Sequence, residues 1–329
     1  MKQSPPVGDS PPSQKPDGPV WQRLRASPAL STIARMGITN DEGVIQLIRW
    51  AKDEDLGAGD LSTGLMADPH APASFRLIAG QPGVFAGREI APAVLRAYDV
   101  AINIDWTDLG RDGVRIETVP SELATIRGPV GAILSAERVL LNFLQRLCGV
   151  ATLTRAYVDA VAGTGAAIFD TRKTTPGWRK LEKYAVRCGG GCNHREGLFD
   201  AVLLKDNHLA GVETPQLAAA VFEMLNRRDA AGAKATFVQV EADTLAQVGE
   251  LLKVVGLDAI LLDNFSLDDL RRAVALRDDL GLRGKVSLEA SGGITLQNVR
   301  AVAETGVERI SVGAITHSAT ALDLSMERI

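Results

Sequence analysis

The sequence predicts an α/β protein: an open, irregular parallel barrel of about six strands, preceded by a smaller α+β layer. Three observations carry that reading. From Ala166 onward, six short apolar runs recur, with amphipathic helical segments between most of them. Strand–helix alternation with continuous apolar strands marks a parallel sheet covered on both faces. Before that region, short strand-like runs broken by Gly and Pro surround a single helical stretch, the pattern of a small antiparallel sheet with helices on one face. Between the two lies one long helical segment.

Taken in order, residues 1–38 carry repeated Pro, Gly, Ser and Asp with almost no apolar pattern, and are expected to be a disordered extension. Thr39-Asn40-Asp41-Glu42 has capping-box spacing ahead of a helical stripe of Val44, Ile45, Leu47, Ile48 and Ala51. Strands are expected at Phe75 to Ala79, Gly83 to Ala86, Ala101 to Trp106, Val114 to Val119 and Leu123 to Arg127, with a helix near Ala91 to Tyr98. The linking helix is expected to start after Ser135 as N-cap and to run to about Ala162, broken at Gly149. It separates a first half, residues 39–145, from a second, 146–316. The barrel strands are Ala166 to Phe169, Ala201 to Leu204, Phe237 to Val240, Ala259 to Leu262, Val286 to Leu288 and Ile310 to Val312. Six strands favour an incomplete barrel over a closed eight-fold one. The open doubly wound sheet is the alternative, disfavoured because no Gly-x-Gly-x-x-Gly opens a helix after a strand.

Composition excludes several classes. With 46% hydrophobic and 23% charged residues, the chain of 329 residues is an ordinary globular sequence. A net charge of −4 gives no reason to expect nucleic acid or an anionic membrane as partner. No apolar run reaches the roughly 18 residues of a membrane span, and Met-Lys-Gln-Ser-Pro-Pro lacks a signal-peptide core, so a cytoplasmic protein is expected. Cys148, Cys188 and Cys192 give an odd count, which argues against a disulfide framework. Cys188 and Cys192 lie close to His194, but a structural zinc site needs four ligands in tight pairs and no second pair exists.

The functional signal stands at the carboxyl end of each barrel strand. The strands run into Asp170-Thr171-Arg172-Lys173, Lys205-Asp206-Asn207-His208, Glu241, Asp263-Asn264, Glu289-Ala290-Ser291-Gly292-Gly293 and Gly313-Ala314-Ile315-Thr316-His317. In a parallel barrel all these points converge on the carboxyl-end rim, where barrel active sites lie. Between Asp170 and Asp206 stand eight Lys or Arg against five acids, a local positive excess in a net-negative chain. Arg179, Lys180 and Lys183, on the helix after Pro176, have solvation as their default reading. Cations at strand ends and beside glycines need an anionic partner, each contact giving roughly 4 kcal/mol at 4 Å before desolvation. Gly189 to Arg195 reads as a flexible loop carrying His194 and Arg195, or as a helix cap and turn. Ser291-Gly292-Gly293 and Gly313-Ala314 offer bare amides of the kind that bind phosphate. Glu241 and Asp263 suit Mg²⁺ held through water; they equally suit ion pairs with Lys205 and Arg172, since an empty cationic site needs internal neutralisation. Arg138, placed in a first helical turn, sits against the dipole.

These residues resemble a known family. Asp170-Thr-Arg-Lys-Thr-Thr-Pro-Gly, the run Lys183 to Arg195 and Lys205-Asp-Asn-His208 are similar to quinolinate phosphoribosyltransferase, also called nicotinate-nucleotide pyrophosphorylase (carboxylating). Glu54 to Asp60, Ala136 to Arg146, Leu262-Asp-Asn264 and Glu289 to Gly293 agree in the same order. The resemblance covers roughly residues 40–329. It implies an open α/β barrel plus an N-terminal α/β sandwich domain completed by residues 317–329. The implied reaction moves phosphoribosyl from phosphoribosyl pyrophosphate onto quinolinate with loss of CO₂, giving nicotinate mononucleotide and pyrophosphate for NAD synthesis. It implies that Arg172, His194, Arg195 and Lys205 line the acceptor pocket with Lys173 beside it, that Thr171 and His317 also bind substrate, and that Glu241 and Asp263 manage the Mg²⁺–pyrophosphate end. Ser291, Gly292, Gly293 and Gly313 would hold the 5′-phosphate. Arg138 would enter the neighbouring subunit's pocket in a homodimer or larger assembly such as a hexamer.

Catalysis fits the residues on chemical grounds. Lys205, His194, Glu241 and Asp263 are the expected catalytic set, with His194 or Lys205 delivering the proton that replaces CO₂. Positive charge absorbs the leaving pyrophosphate, and the pyridinium formed on nitrogen attack stabilises the carbanion left by decarboxylation. No Ser-His-Asp or Cys-His arrangement suggests a covalent nucleophile. The rivals are a molybdenum-transport-associated or nicotinate-type homologue, a silent phosphosugar-binding scaffold, and an aldolase using Lys205 as a Schiff base; the last would want apolar surroundings that Asp206 denies. Cys188 and Cys192 flank the triple glycine where the family leads one to expect non-thiol residues.

Overall fold

The first half folds around a four-stranded antiparallel sheet whose outermost strand comes from the other end of the chain. The structure, a computed structural model, describes residues 38–329. Most of the expected N-terminal extension therefore lies outside the described residues, but Ile38 is already core, 8% exposed, with its N–H donating to Glu89. Helix α1 spans Glu42–Leu56. Its cap is Asp41, which accepts from the Val44 N–H at 3.2 Å, and Thr39 lies in the short turn before it. The expected cap was two residues early because Asp41 itself reaches the first free donors. Val44 and Ile48 are the buried part of the stripe.

Strands β1 (Pro72–Ala79), β3 (Asn103–Trp106) and β5 (Ser121–Pro129) make the sheet with β12 (Leu324–Arg328), in the order β12-β1-β5-β3. β2 (Gly83–Val84) and β4 (Arg115–Ile116) pair separately, and α2 (Ile90–Tyr98) covers the sheet with Ile90, Ala91, Val94 and Leu95 buried. The chain's last strand thus completes its first sheet, Phe75 opposite Arg328.

Helix α3 runs unbroken from Val130–Ala160, earlier than expected at its start and without a break at Gly149. Its first free N–H groups need no side-chain cap: Val130 donates to Ala71 O and Gly131 to Pro69 O, both at 2.9 Å. Ser135 is mid-helix and donates to Asp60 Oδ2 at 2.8 Å. Gly149 serves close packing, since a Cβ there would lie 2.1 Å from Thr320 O. The 319–324 segment crosses α3 at this point on its way to β12, with Leu322 N–H donating to Gln145 O and Arg146 to Ala319 O at 2.8 Å. Arg138 consequently sits about two turns inside the helix, so the helix dipole does not act against it as expected.

The second half is the expected open parallel barrel, β6 (Ala167–Phe169), β7 (Val202–Leu204), β8 (Val238–Ala242), β9 (Ala259–Asp263), β10 (Ser287–Ser291) and β11 (Arg309–Ser311). Its order, β6-β11-β10-β9-β8-β7, makes β6 and β7 the outer strands of the sheet. Helices α4 (Arg179–Cys188), α5 (Leu217–Ala230), α6 (Leu245–Leu251), α7 (Leu267–Asp279) and α8 (Val299–Ala303) cover it, and the short α9 (Ala314–His317) comes after β11. The inward face departs from the apolar expectation. Gln239, Glu289 and Arg309 are each at most 1% exposed, with Ser287 and Ser311 beside them.

Candidate active site

The parallel register carries the expected residues to one rim. Around the sheet order, Arg172 and Lys173 come after β6, Gly313 after β11, and Ser291 to Gly293 end β10. Asp263 ends β9, Glu241 lies near the end of β8 and Lys205 comes after β7. Asp263 is directly opposite Ser291 across the β9–β10 ladder.

On the β6 side, buried Asp170 organises the backbone. It accepts from Lys183 Nζ, from Asn193 Nδ2 and, at 2.8 Å, from the His194 N–H. Lys183 also donates to His194 O at 3.0 Å and is 3% exposed. It is a buried structural cation, which corrects the solvated reading of it. Arg179 and Lys180 are likewise engaged, Arg179 with Thr174 and Glu196 O, Lys180 with Asp41. Gly189 to Gly191 cap α4, and Cys192 then adds a single bridge to the free edge of β6: Cys192 N–H donates to Ile168 O at 2.8 Å and Asp170 N–H to Cys192 O at 3.1 Å. The glycine run is therefore a cap that becomes an extra strand position at the barrel's opening.

Arg195 emerges from this segment, 7% exposed. Burial, and after it the neighbouring Arg172 guanidinium, press its pKa below the ordinary value, with Asp200 opposing. Two adjacent guanidiniums, one buried and one exposed, could grip a carboxylate or phosphate. The Arg172 side chain has no hydrogen-bond or ion-pair partner among the described residues. Thr171 Oγ1 accepts from the Lys173 N–H at 3.0 Å.

At the other side Lys205 pairs with Glu241, which is 9% exposed. Carboxylate oxygens of Glu241, Asp243 and Asp263 all lie within 4.8 Å of one another. Asp243 was not anticipated; its position two residues beyond Glu241, just past the end of β8, was the available signal. Such a set of hard oxygen donors fits Mg²⁺.

The glycine loops lie between these two sides. Gly292 has φ +89°, and a Cβ there would meet Asn264 Oδ1 at 2.1 Å. Asn264, itself at φ 54°, donates its N–H to Ser291 O at 2.9 Å, tying the ends of β9 and β10 together. Lys173 Cδ and His317 Nε2 crowd Gly313, at 3.1 and 3.2 Å from where its Cβ would sit. Thr316 Oγ1 donates to Lys173 O at 2.7 Å. The Arg138 side chain, on the exposed face of α3, makes no hydrogen bond or ion pair among the described residues.

His194 faces inward instead of outward. Its Nδ1 accepts from the Arg195 N–H at 2.8 Å, and its Nε2 lies 2.8 Å from Gln239 Oε1. Burial first, then the Arg309 and Lys183 charges, push its pKa down to about 4 against the opposing pull of Glu289 and Gln239. The neutral ring must carry its proton on Nε2, because Nδ1 is an acceptor.

The fold and the rim define a class: an α/β-barrel protein that gathers cations, glycine amides and a carboxylate cluster at its strand ends to receive small, highly anionic molecules. Comparison with known proteins narrows it. Residues 150–327 match the family described as quinolinate phosphoribosyl transferase, C-terminal domain, and residues 60–148 match its N-terminal domain. A nicotinate-nucleotide pyrophosphorylase [carboxylating] of Mycobacterium leprae is 41% identical over 285 residues, covering 85% of this chain and 95% of that one. A probable nicotinate-nucleotide pyrophosphorylase [carboxylating] of Bacillus subtilis is 38% identical over 275 residues, covering 83% and 89%. The structure of the nicotinate-nucleotide pyrophosphorylase from Francisella tularensis superposes with a TM-score of 0.77 at 37% identity, covering 88% of this chain and 96% of that one. The chain belongs to the quinolinate phosphoribosyltransferase family.

Proposed function

We propose that this protein transfers phosphoribosyl from phosphoribosyl pyrophosphate to quinolinate with decarboxylation, releasing nicotinate mononucleotide, pyrophosphate and CO₂, a step of NAD biosynthesis. The observation that carries the reading is the opposition of the two sides of one rim, Arg172 and Arg195 against the Glu241–Asp243–Asp263 cluster with Lys205. A pyridine dicarboxylate fits the guanidinium side. The diphosphate end fits the carboxylate side through Mg²⁺, which when bound would screen the charge of the departing pyrophosphate. Ser291 to Gly293 and Gly313, with Lys173 and His317, are suited to a terminal phosphate.

In this reading the protein's own residues bind, orient and exclude water. Arg172 and Arg195 hold the acceptor carboxylates and aim the ring nitrogen. Lys205 exchanges its internal partner Glu241 for substrate and gives a proton to the ring carbon that CO₂ leaves. The neutral, doubly engaged His194 is unsuited to that proton transfer, so of the two donors considered Lys205 is preferred.

We further infer a homodimer that works in the cytoplasm. Among the described residues no helix is long and apolar enough to cross a membrane. Among the described residues Arg138 has no side-chain partner; it stands on α3 beside Leu134, which is 38% exposed, with Leu61 at 87% and Leu65 at 88% among the other exposed apolar side chains. An unpaired arginine on such a surface suits a neighbour's anionic pocket.

The direct test is incubation with quinolinate, phosphoribosyl pyrophosphate and Mg²⁺, with detection of nicotinate mononucleotide and CO₂. Nicotinate in place of quinolinate should give no CO₂; product from nicotinate alone would overturn the assignment. Arg138→Ala should lose about 10²-fold or more in turnover, and hybrid dimers with Arg172→Ala should recover part of it, because one intact site is rebuilt. Verified hybrids without recovery would remove the shared site.

A further inference from the structure

Beneath the rim, a chain of buried polar side chains crosses the barrel and ends at the acceptor pocket. Arg309 on β11 is 1% exposed, with Nε 2.6 Å from Glu289 Oε2. Among the described residues none of its guanidinium nitrogens has a partner of hydrogen-bond geometry, and the guanidinium lies 4.1 Å over the Phe169 ring centroid. Glu289 on β10 has no solvent exposure and accepts from Ser311 Oγ and, at 3.0 Å, from Gln239 Nε2. Burial alone would raise the Glu289 pKa, but Arg309, His194 and these two donors outweigh it and hold the carboxyl below its ordinary value. Gln239 on β8 then turns its oxygen to His194, 2.8 Å away.

Each link dictates the next. An ionised Glu289 accepts only, so the Gln239 amide nitrogen must face it. The Gln239 oxygen must then face His194, so Nε2 must be the donor. Nδ1 is thereby left bare to accept the Arg195 N–H. His194 is surrounded by Glu289, Arg309, Lys183 and the Phe237 ring, 5.2 Å away edge-on, and Asp170 accepts its backbone N–H. Every member is at most 8% exposed, so water competes little with this order.

We propose that Glu289 and Gln239 are positioning residues of the acceptor pocket: acting in series, they fix His194 as the Nε2–H tautomer, and its bare Nδ1 fixes the Arg195 peptide and so the guanidinium that receives an acceptor carboxylate. The proposal rests on the acceptor reading given above for Arg195. It makes Arg309 the anchor of the chain, with Phe169 and Glu289 compensating its burial.

Two measurements test it. The first is nitrogen-15 NMR of histidine-labelled full-length protein, with the His194 ring assigned by its loss in His194→Asn. Non-protonated Nδ1 and protonated Nε2 at neutral pH are expected; an Nδ1–H or doubly protonated ring would overturn the proposal, whatever the acceptor proves to be. The second is kinetic. Gln239→Met keeps the volume and removes both links. It should raise the KM for quinolinate about 10-fold, the order expected for one lost buried hydrogen bond, while the KM for phosphoribosyl pyrophosphate changes less than about twofold. His194→Asn, whose side-chain oxygen can take the place of Nδ1, should bind quinolinate more tightly than His194→Gln. A Gln239→Met enzyme with a lowered Tm but both KM values unchanged would make the network merely structural. Wild-type enzyme that ignores quinolinate would instead refute the proposed function and leave the NMR test standing.

Discussion

The rim of the barrel and the layer just beneath it hold similar charges under opposite rules. Among the described residues the exposed rim side chain of Arg172 is without a partner, and Lys205 is paired with Glu241 alone. One layer down, Arg309 and Glu289 are closed off from solvent and bound to each other. Rim charges are exchangeable because water or a ligand can replace any partner, so they cost little to keep. Interior charges are fixed because neither can lose the other without leaving a buried, uncompensated ion. The difference teaches that a buried ion pair close to a site can belong to its scaffold while the exposed cations belong to its ligands.

The sharpest way to break this comparison is to remove one interior partner. Glu289→Ala should destabilise the fold by about 3–5 kcal/mol, the range for stranding a buried charge. Denaturant unfolding measures it, and a loss under about 1 kcal/mol would show that water reaches Arg309. Arg172→Ala should do the reverse. Its unfolding free energy should stay within about 0.5 kcal/mol of wild type, while kcat/KM with quinolinate falls by about 10²-fold. Loss of stability with retained turnover would exchange the roles assigned to the two layers.

How much of this was legible depends on how local each cause is. The barrel strands were readable because period and apolar runs are properties of neighbouring residues. The rim was readable because charged or glycine-rich clusters come after strand upon strand, from Arg172 to Gly313. The start of α3 was not, because its free N–H groups are satisfied by Pro69 and Ala71, some sixty residues before it in the chain. Lys183 looked like any solvated helical lysine until Asp170 and the His194 carbonyl closed around it. The interior network needed register: Gln239 and Glu289 are far apart in sequence and meet only through β9 between them. The alternation of polar residues at Gln239 and Glu241, and at Arg309 and Ser311, was the visible trace. It was outweighed by the apolar runs around it.

A smaller effect should come from the place where the two halves of the molecule touch. Gly149→Ala should cost about 1–3 kcal/mol, because its methyl group would press on the Thr320 carbonyl and a backbone must shift. If Gly149→Ala lost no stability by thermal unfolding, close packing against the 319–324 segment would not be what Gly149 supplies.

The smallest expected effect distinguishes the layers by pH. Burial pushes His194 from 6.5 down to about 4 in the folded protein. In the unfolded chain the ring takes up a proton near 6.5, whereas the folded ring stays neutral until about 4. Between those values the unfolded state binds more protons, so this contribution to stability is complete above 6.5 and is lost as pH falls toward 4. Within the window the loss is about 1 kcal/mol per pH unit. The unfolding free energy of wild type relative to His194→Asn should therefore narrow by about 1 kcal/mol between pH 6.5 and 5.5. A gap that stayed constant would place the ring in contact with solvent, and His194 would then belong to the exchangeable layer with Arg172 and Lys205.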